Sequence, residues 1–486
     1  MCACRFTRRG GTMFRSKRRL AGLSALVLGA GLAVAGPVTA AQAHDHDGNG
    51  APRKVVSAYF ADWDIYGRGY FVKDIPAGQL NVIQYAFAVP MFNKATGAIS
   101  CDILDPWADF QRPAGAADSV DGVADDAANA GQHLFGNFNQ LRKLKQKFPN
   151  LKIEISLGGW TKSTWFANAS ATPQRRQAFA SACIDTFIKG NLPMPAGGWP
   201  PQAGGPGSAA GIFDGIDLDW EFPTVVGGGN VDFGPADRHN ATLLAREFRA
   251  QLDAQGRADH KRYLLTAALP AAKSSTNYYE LASFTRSMDW VNVMAFDFNV
   301  PSTATVSAHD TLFRQDRRDP HGDDPTWNTT GTVLWYLRNG VPRDKIVVGV
   351  PFYANQYIRS GGLYQPFDNT GLDSNSLQWD QMPQPTYHSL VDQAGIVSAA
   401  GQGQLGYSRV WNWRAGEPYL VNPAGMHALA SGSVTVPTVI VYSDPHSIAE
   451  RTRLVRSWGL RGAMAWEVSQ DSDAHALIGA LEPILS

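Results

Sequence analysis

From Val55 onward the chain alternates short, nearly unbroken apolar runs with longer stretches whose apolar positions recur every three to four residues. The short runs cover 55–60, 81–87, 151–157, 211–219, 263–269, 289–296, 345–351 and 462–466, and they are rich in Val, Ile and Tyr. Runs of this length without polar alternation predict strands buried on both faces. Helical periodicity predicts helices over 137–148, 173–189, 235–255, 330–339 and 446–458. Strands alternating with helices imply a parallel sheet covered on its faces. Eight such repeats in about 440 residues point to an α/β fold, the (β/α)8 TIM barrel. The alternative is an open doubly wound sheet, but no glycine-rich dinucleotide turn or phosphate loop occurs.

Two segments break the alternation. Residues 193–210 are rich in Pro and Gly and read as a long loop before the fourth strand. Residues 353–443 separate the seventh and eighth strands, too far for a bare loop, so an inserted α+β subdomain is expected there.

The first 43 residues are read as a secretory signal peptide. Arg15, Lys17, Arg18 and Arg19 precede an apolar stretch over 20–36, and Ala41-Gln42-Ala43 offers small residues for cleavage. That stretch is short for a membrane span. Residues 44–52 are expected to be a disordered polar start and 53–486 the catalytic barrel. The leader carries seven of the 43 basic residues and none of the 43 acidic ones, so the apparent neutrality of the whole chain becomes 36 against 43, a net of −7. An acidic exported protein excludes nucleic acid as the main partner. It is expected to be extracellular, free of the membrane after cleavage, and monomeric. Cys101 and Cys183 remain in the mature chain, enough for one disulfide in an oxidising compartment.

The candidate chemistry lies at the end of the fourth strand, in Asp214-Gly215-Ile216-Asp217-Leu218-Asp219-Trp220-Glu221. Asp217, Asp219 and Glu221 share one strand face. In a barrel that face is the interior, and Glu221 falls at the C-terminal end, where barrel active sites sit. Three carboxyls in one low-dielectric space cannot all be charged, and the repulsion raises at least one pKa. That suits a general acid, which must hold its proton near neutral pH. A solvated acidic edge is the bland reading, but Ile212, Ile216 and Leu218 mark the strand as buried. Metal binding by the carboxyls lacks a nearby His. Asp214 has the opposite parity and is assigned structural support.

At this point the chain resembles glycoside hydrolase family 18, the chitinases. Asp-x-x-Asp-x-Asp-x-Glu at 214–221 is similar to the family signature. Ser156-Leu157-Gly158-Gly159-Trp160 resembles its Ser-x-Gly-Gly after the third strand. Tyr59-Phe60 with Trp63 resembles its first strand, and Met294-Ala295-Phe296-Asp297 stands where the family has Met-x-Tyr-Asp. Pro351-Phe352-Tyr353 and Trp466-Glu467 resemble the ends of the last two strands. Stretches at 409–419 and 443–449 are similar to parts of the chitinase insertion domain.

The resemblance implies retaining hydrolysis without an enzymic nucleophile, an exception to the two-carboxylate scheme. The substrate's 2-acetamido carbonyl would attack the anomeric carbon and give an oxazolinium ion. Glu221 would be the acid and then the base, Asp219 would orient the acetamido group, and Asp217 would modulate Asp219. Met294, Asp297, Phe296, Tyr353, Tyr59, Trp160 and Trp466 would line the substrate site, with Trp466 as a floor under the reactive sugar. Trp63, Trp411 and Trp413 are further sugar-subsite candidates. Ser156, Gly158 and Gly159 would support the pocket. No metal and no cofactor is implied. The partners implied are chitin and N-acetylglucosamine oligosaccharides. The sequence departs from the family at Phe296, which lacks the usual Tyr hydroxyl, with Tyr353 a candidate substitute. It departs again at Ala354-Asn355, in place of the usual Gly-Arg. The alternatives are an endo-N-acetylglucosaminidase acting on glycan cores and a non-catalytic chitin-binding lectin.

Overall fold

The computed structural model describes residues 50–194 and 197–486. The expected leader and residues 44–49 lie outside these. Ala51 and Pro52, expected to belong to a disordered start, are buried, and Ala51 clusters with Val55, Leu264 and Trp290.

The strands in chain order are β1 (Val55–Ala61), β2 (Val82–Phe92), β3 (Ile99–Ile103), β4 (Lys152–Gly158), β5 (Gly215–Asp219), β6 (Leu264–Pro270), β7 (Trp290–Met294), β8 (Ile346–Pro351), β9 (Asn355–Ile358), β10 (Ser408–Asn412), β11 (Glu417–Leu429), β12 (Gly432–Val441) and β13 (Gly462–Trp466). β1, β2, β4, β5, β6, β7, β8 and β13 pair in parallel, and the β1–β2 pairing closes them into a barrel. The fold is the (β/α)8 TIM barrel that the alternation predicts. Outward Ile and Val side chains, such as Ile83, Ile153 and Ile155, pack under the helices, which is why the strands read as continuous apolar runs.

Local sequence sets the helix ends. Thr172 caps the helix Pro173–Cys183 by accepting from the Arg175 N–H, with Pro in the first turn. Asp444 and Ser447 form a capping box on the helix Pro445–Trp458, which Gly459 ends in the left-handed conformation.

Two features differ from the sequence reading. The fourth barrel strand starts at Gly215, not 211, because Gly211 turns at φ +80° and Lys145 Nζ binds the carbonyls of Gly211 and Ile212. β2 runs on to Phe92 and pairs antiparallel with β3, a strand missed in the sequence. Cys101 on β3 forms a disulfide with Cys183, the last residue of the helix Pro173–Cys183.

Between β8 and β13 lies an antiparallel sheet in the order β10-β11-β12-β9. One helical turn, Ser389–Gln393, accompanies it. Fully buried Arg451, on the helix leading back to the barrel, donates to Glu417 on β11 and to Thr311. Removing either ion-pair partner would strand a buried charge.

Candidate active site

The register of the barrel sets one polar row inside it. Ser156 on β4, Asp217 on β5 and Thr266 on β6 lie side by side. Asp217 is fully buried and accepts four hydrogen bonds. Tyr59 and Ser156 donate to Oδ2 at 2.7 and 2.8 Å, and Thr266 and Asn292 donate to Oδ1 at 2.7 and 3.4 Å. Burial pushes its carboxyl up, while the four donors favour the ionised form and pull it back.

Two residues on, Asp219 closes β5. Its Oδ1 is buried without a donor, and its carboxyl engages that of Glu221. Burial, then the charges of Glu221 and Asp217, push Asp219 well above the carboxylate range. Glu221 lies just beyond the strand and is half-buried. Its N–H donates to Ser163 Oγ at 2.9 Å, which fixes the turn. Burial and the charge of Asp297 raise Glu221 to about 8, against a lowering by Asp219. A proton held between two carboxyls at neutral pH is what a general acid requires.

At Gly158 and Gly159 only glycine fits. Both have positive φ, and a Cβ at Gly158 would lie 2.4 Å from the Asp219 carbonyl. At Gly159 it would strike the Phe87 ring at 2.6 Å. The Gly159 N–H donates to the Asp219 carbonyl at 2.8 Å, so the wall of the site is pinned to the end of β5.

Of the other expected residues, Phe296 and Tyr353 share one buried cluster with Tyr59, and Met294 and Trp466 pack against it. Trp466 ends β13 half-buried, stacked on Phe87 with centroids 5.9 Å apart and tilted against Tyr59 at 5.2 Å. Asp297 adopts φ +56°, and Tyr353 donates to its Oδ1 at 2.6 Å. Trp160 is 54% exposed and meets Phe222 edge-on. Trp413 is 78% exposed and contacts Trp411. Asp214 points away from the column, accepting from Lys145 at 2.7 Å and from the Ile153 N–H at 3.0 Å.

The sequence comparison decides the family. Residues 55–471 match the glycosyl hydrolases family 18. The chain belongs to family 18 of the glycosyl hydrolases. It is similar to Chitinase A1 of Niallia circulans, 32% identical over 448 residues, with 86% of this chain and 56% of that relative covered. The chain thus spans little more than half the length of that protein. Endochitinase 1 of Metarhizium anisopliae is 29% identical, covering 87% of this chain and 84% of its own. Among solved structures, the catalytic domain of the psychrophilic chitinase B from Arthrobacter TAD20 superposes with a TM-score of 0.74 at 29% identity, covering 90% of this chain and 96% of that one.

Within this family 18 chain, two sequence expectations change. Tyr59 is read from the sequence as a substrate contact, but it is 2% exposed and its hydroxyl is committed to Asp217. Tyr353 is a candidate to replace the missing Tyr hydroxyl at Phe296, but its proton goes to Asp297. The sequence reading also missed Thr266, Asn292, Glu154 and Asp310. Thr266, Asn292 and Glu154 are polar residues inside apolar runs, a signal visible in the sequence but silent until the register is known, whereas Asp310 lies in a polar stretch outside every barrel strand. Asn355, where the family usually has Arg, donates to Asp310 Oδ1 at 3.0 Å and to the Asn299 carbonyl at 2.8 Å.

Proposed function

We propose that this chain is an exported chitinase that hydrolyses β-1,4 linkages between N-acetylglucosamine units with retention. The protonated Glu221 donates to the glycosidic oxygen as the C1–O bond breaks. The substrate's acetamido oxygen bonds to C1, giving an oxazolinium ion and a Glu221 carboxylate. Asp219 orients the acetamido group and, with Asp217, offsets the positive charge. Glu221 then takes a proton from water, whose oxygen attacks C1 and reopens the ring. Trp466 packs against the reactive sugar, with Met294, Asp297, Phe296, Tyr353 and Trp160 around it. The observation that supports this reading best is the pairing of buried Asp219 with half-buried Glu221, beside an Asp217 already satisfied by four donors.

Export is supported by the basic-then-apolar start of the sequence and by the Cys101–Cys183 disulfide, a bond typical of oxidising compartments. Among the described residues no helix is long and apolar enough to cross a membrane. Cleavage of the leader would free a monomeric catalytic barrel.

A defined chitin hexamer, offered beside a high-mannose glycoprotein, tests the proposal by mass spectrometry of the products. Cleavage of the hexamer into shorter oligomers is expected. Release of glycan from the glycoprotein alone would overturn the reading in favour of an endo-N-acetylglucosaminidase. Binding without cleavage would favour a lectin.

A further inference from the structure

Beneath Asp217, one turn of the pleat deeper in the barrel, lies a carboxyl that the proposed reaction does not use. Glu154 on β4 is 0% exposed. Its Oε2 accepts from Gln84 Nε2 at 3.2 Å, and its Oε1 lies 3.1 Å from Thr266 Oγ1. The charges that act on it, from Asp217 and Asp289, are both negative. The titratable groups that face it are Asp217 on β5, Tyr59 on β1 and, further off, Asp289 before β7, which Arg249 and Arg262 hold.

The hydrogens can be counted. Thr266 has one hydroxyl hydrogen and two carboxyl oxygens within reach, Asp217 Oδ1 at 2.7 Å and Glu154 Oε1 at 3.1 Å. A hydroxyl donates once. The shorter contact takes the hydrogen, so the contact to Glu154 is a hydrogen bond only if Glu154 carries the proton. The neighbourhood agrees: an anion there would be buried beside a second carboxylate with only one amide donor.

We propose that Glu154 is a positioning residue, a protonated carboxyl whose hydrogen reaches Thr266 Oγ1 and so aims the Thr266 hydroxyl at Asp217. The relay runs Glu154 to Thr266 to Asp217, and it keeps Asp217 supplied with its shortest Oδ1 donor. It rests on the family 18 reading for its effect on rate, but not for the protonation of Glu154.

Two measurements test it. The first is infrared difference spectroscopy of the resting full chain at pH 7, Glu154→Gln against wild type. Loss of a neutral-carboxyl band is expected. Loss of a carboxylate band overturns the proposal, whatever the chain hydrolyses. The second is the pH profile of kcat on chitin oligomers. Glu154→Leu and Thr266→Val both remove the relay, and each is expected to lower kcat about tenfold or more, with KM within about twofold. The acid limb moves to higher pH in Thr266→Val, where Asp217 loses a donor and is more easily protonated, and by less in Glu154→Leu, where the hydroxyl stays but is no longer aimed. Glu154→Gln restores an N–H donor and is expected to rescue both kcat and limb. Wild-type kcat and limbs in Thr266→Val, or a Glu154→Gln profile no better than that of Thr266→Val, overturns the relay. If no variant or wild type cleaves chitin oligomers, the infrared result still decides Glu154 and the failure belongs to the functional reading.

Discussion

The Tyr353 hydroxyl donates to Asp297 Oδ1 at 2.6 Å, and Asp297 acts by its charge on Glu221. That bond lowers the Asp297 carboxyl against the upward push of burial, and the Asp297 charge in turn raises Glu221. The two acids are therefore linked through a phenol that touches only one of them. In Tyr353→Phe, Asp297 loses its donor, its pKa rises, and it is neutral more often near pH 7. Glu221 then feels less negative charge and its pKa falls below about 8. Wild-type kcat/KM is expected to be bell-shaped in pH, and Tyr353→Phe should move the alkaline limb to lower pH. An alkaline limb that stays in place or moves up would contradict the linkage.

Phe296 offers the converse change. It is 8% exposed and stands edge-on to Tyr353. With Tyr353 committed to Asp297, its phenol is not free for an acetamido carbonyl. Phe296→Tyr should raise kcat on chitin oligomers about tenfold or more, short of the full 10²–10³ associated with one oxyanion donor. The rate constant from steady-state kinetics checks this, and an unchanged or lower kcat would show that the pocket has no place for that hydroxyl.

Glu221 also makes a stability prediction. Its pKa is raised from the ordinary 4.5 to about 8 in the fold. Between those values the folded chain holds a proton that the unfolded chain has released. Stability from this group therefore falls as pH rises through that window. Glu221→Gln removes the titration. The Tm of Glu221→Gln minus that of wild type should increase steadily from about pH 5 to pH 8 in calorimetry. A difference independent of pH would mean that Glu221 titrates normally.

The disulfide closes a loop across 82 residues, from β3 to the end of the helix Pro173–Cys183. Chain-entropy arguments give such a bond about 4 kcal/mol. Replacing both Cys101 and Cys183 by Ala should lower denaturant stability by about that amount while leaving low-temperature activity nearly intact, since neither touches the acid column. Equal stability in the oxidised wild type and the double variant would refute that figure.

Much of the barrel was legible in the sequence, because apolar runs of strand length between amphipathic helices mark a sheet covered on both faces. All eight barrel strands fall where the runs lie, and Asp217, Asp219 and Glu221 stand out as acids in an apolar strand. What stayed hidden depended on neighbours. Thr266 and Asn292 are ordinary polar residues until the β4–β5–β6–β7 register sets them against Asp217. Tyr59 stands at the substrate site by resemblance alone, and a resemblance gives the place of a side chain on a strand but not its depth: its hydroxyl is buried against Asp217. β3 escaped notice because its five residues pair only with the extension of β2, a non-local contact that no short window contains.

The most direct test of the central claim is hydrolysis of the chitin hexamer by Glu221→Gln beside wild type. Loss of the acid should cost about 10²–10⁴ in kcat while oligomer binding and the folded state persist. Wild-type turnover in that variant would contradict the assignment of Glu221 as the acid and, with it, the proposed mechanism.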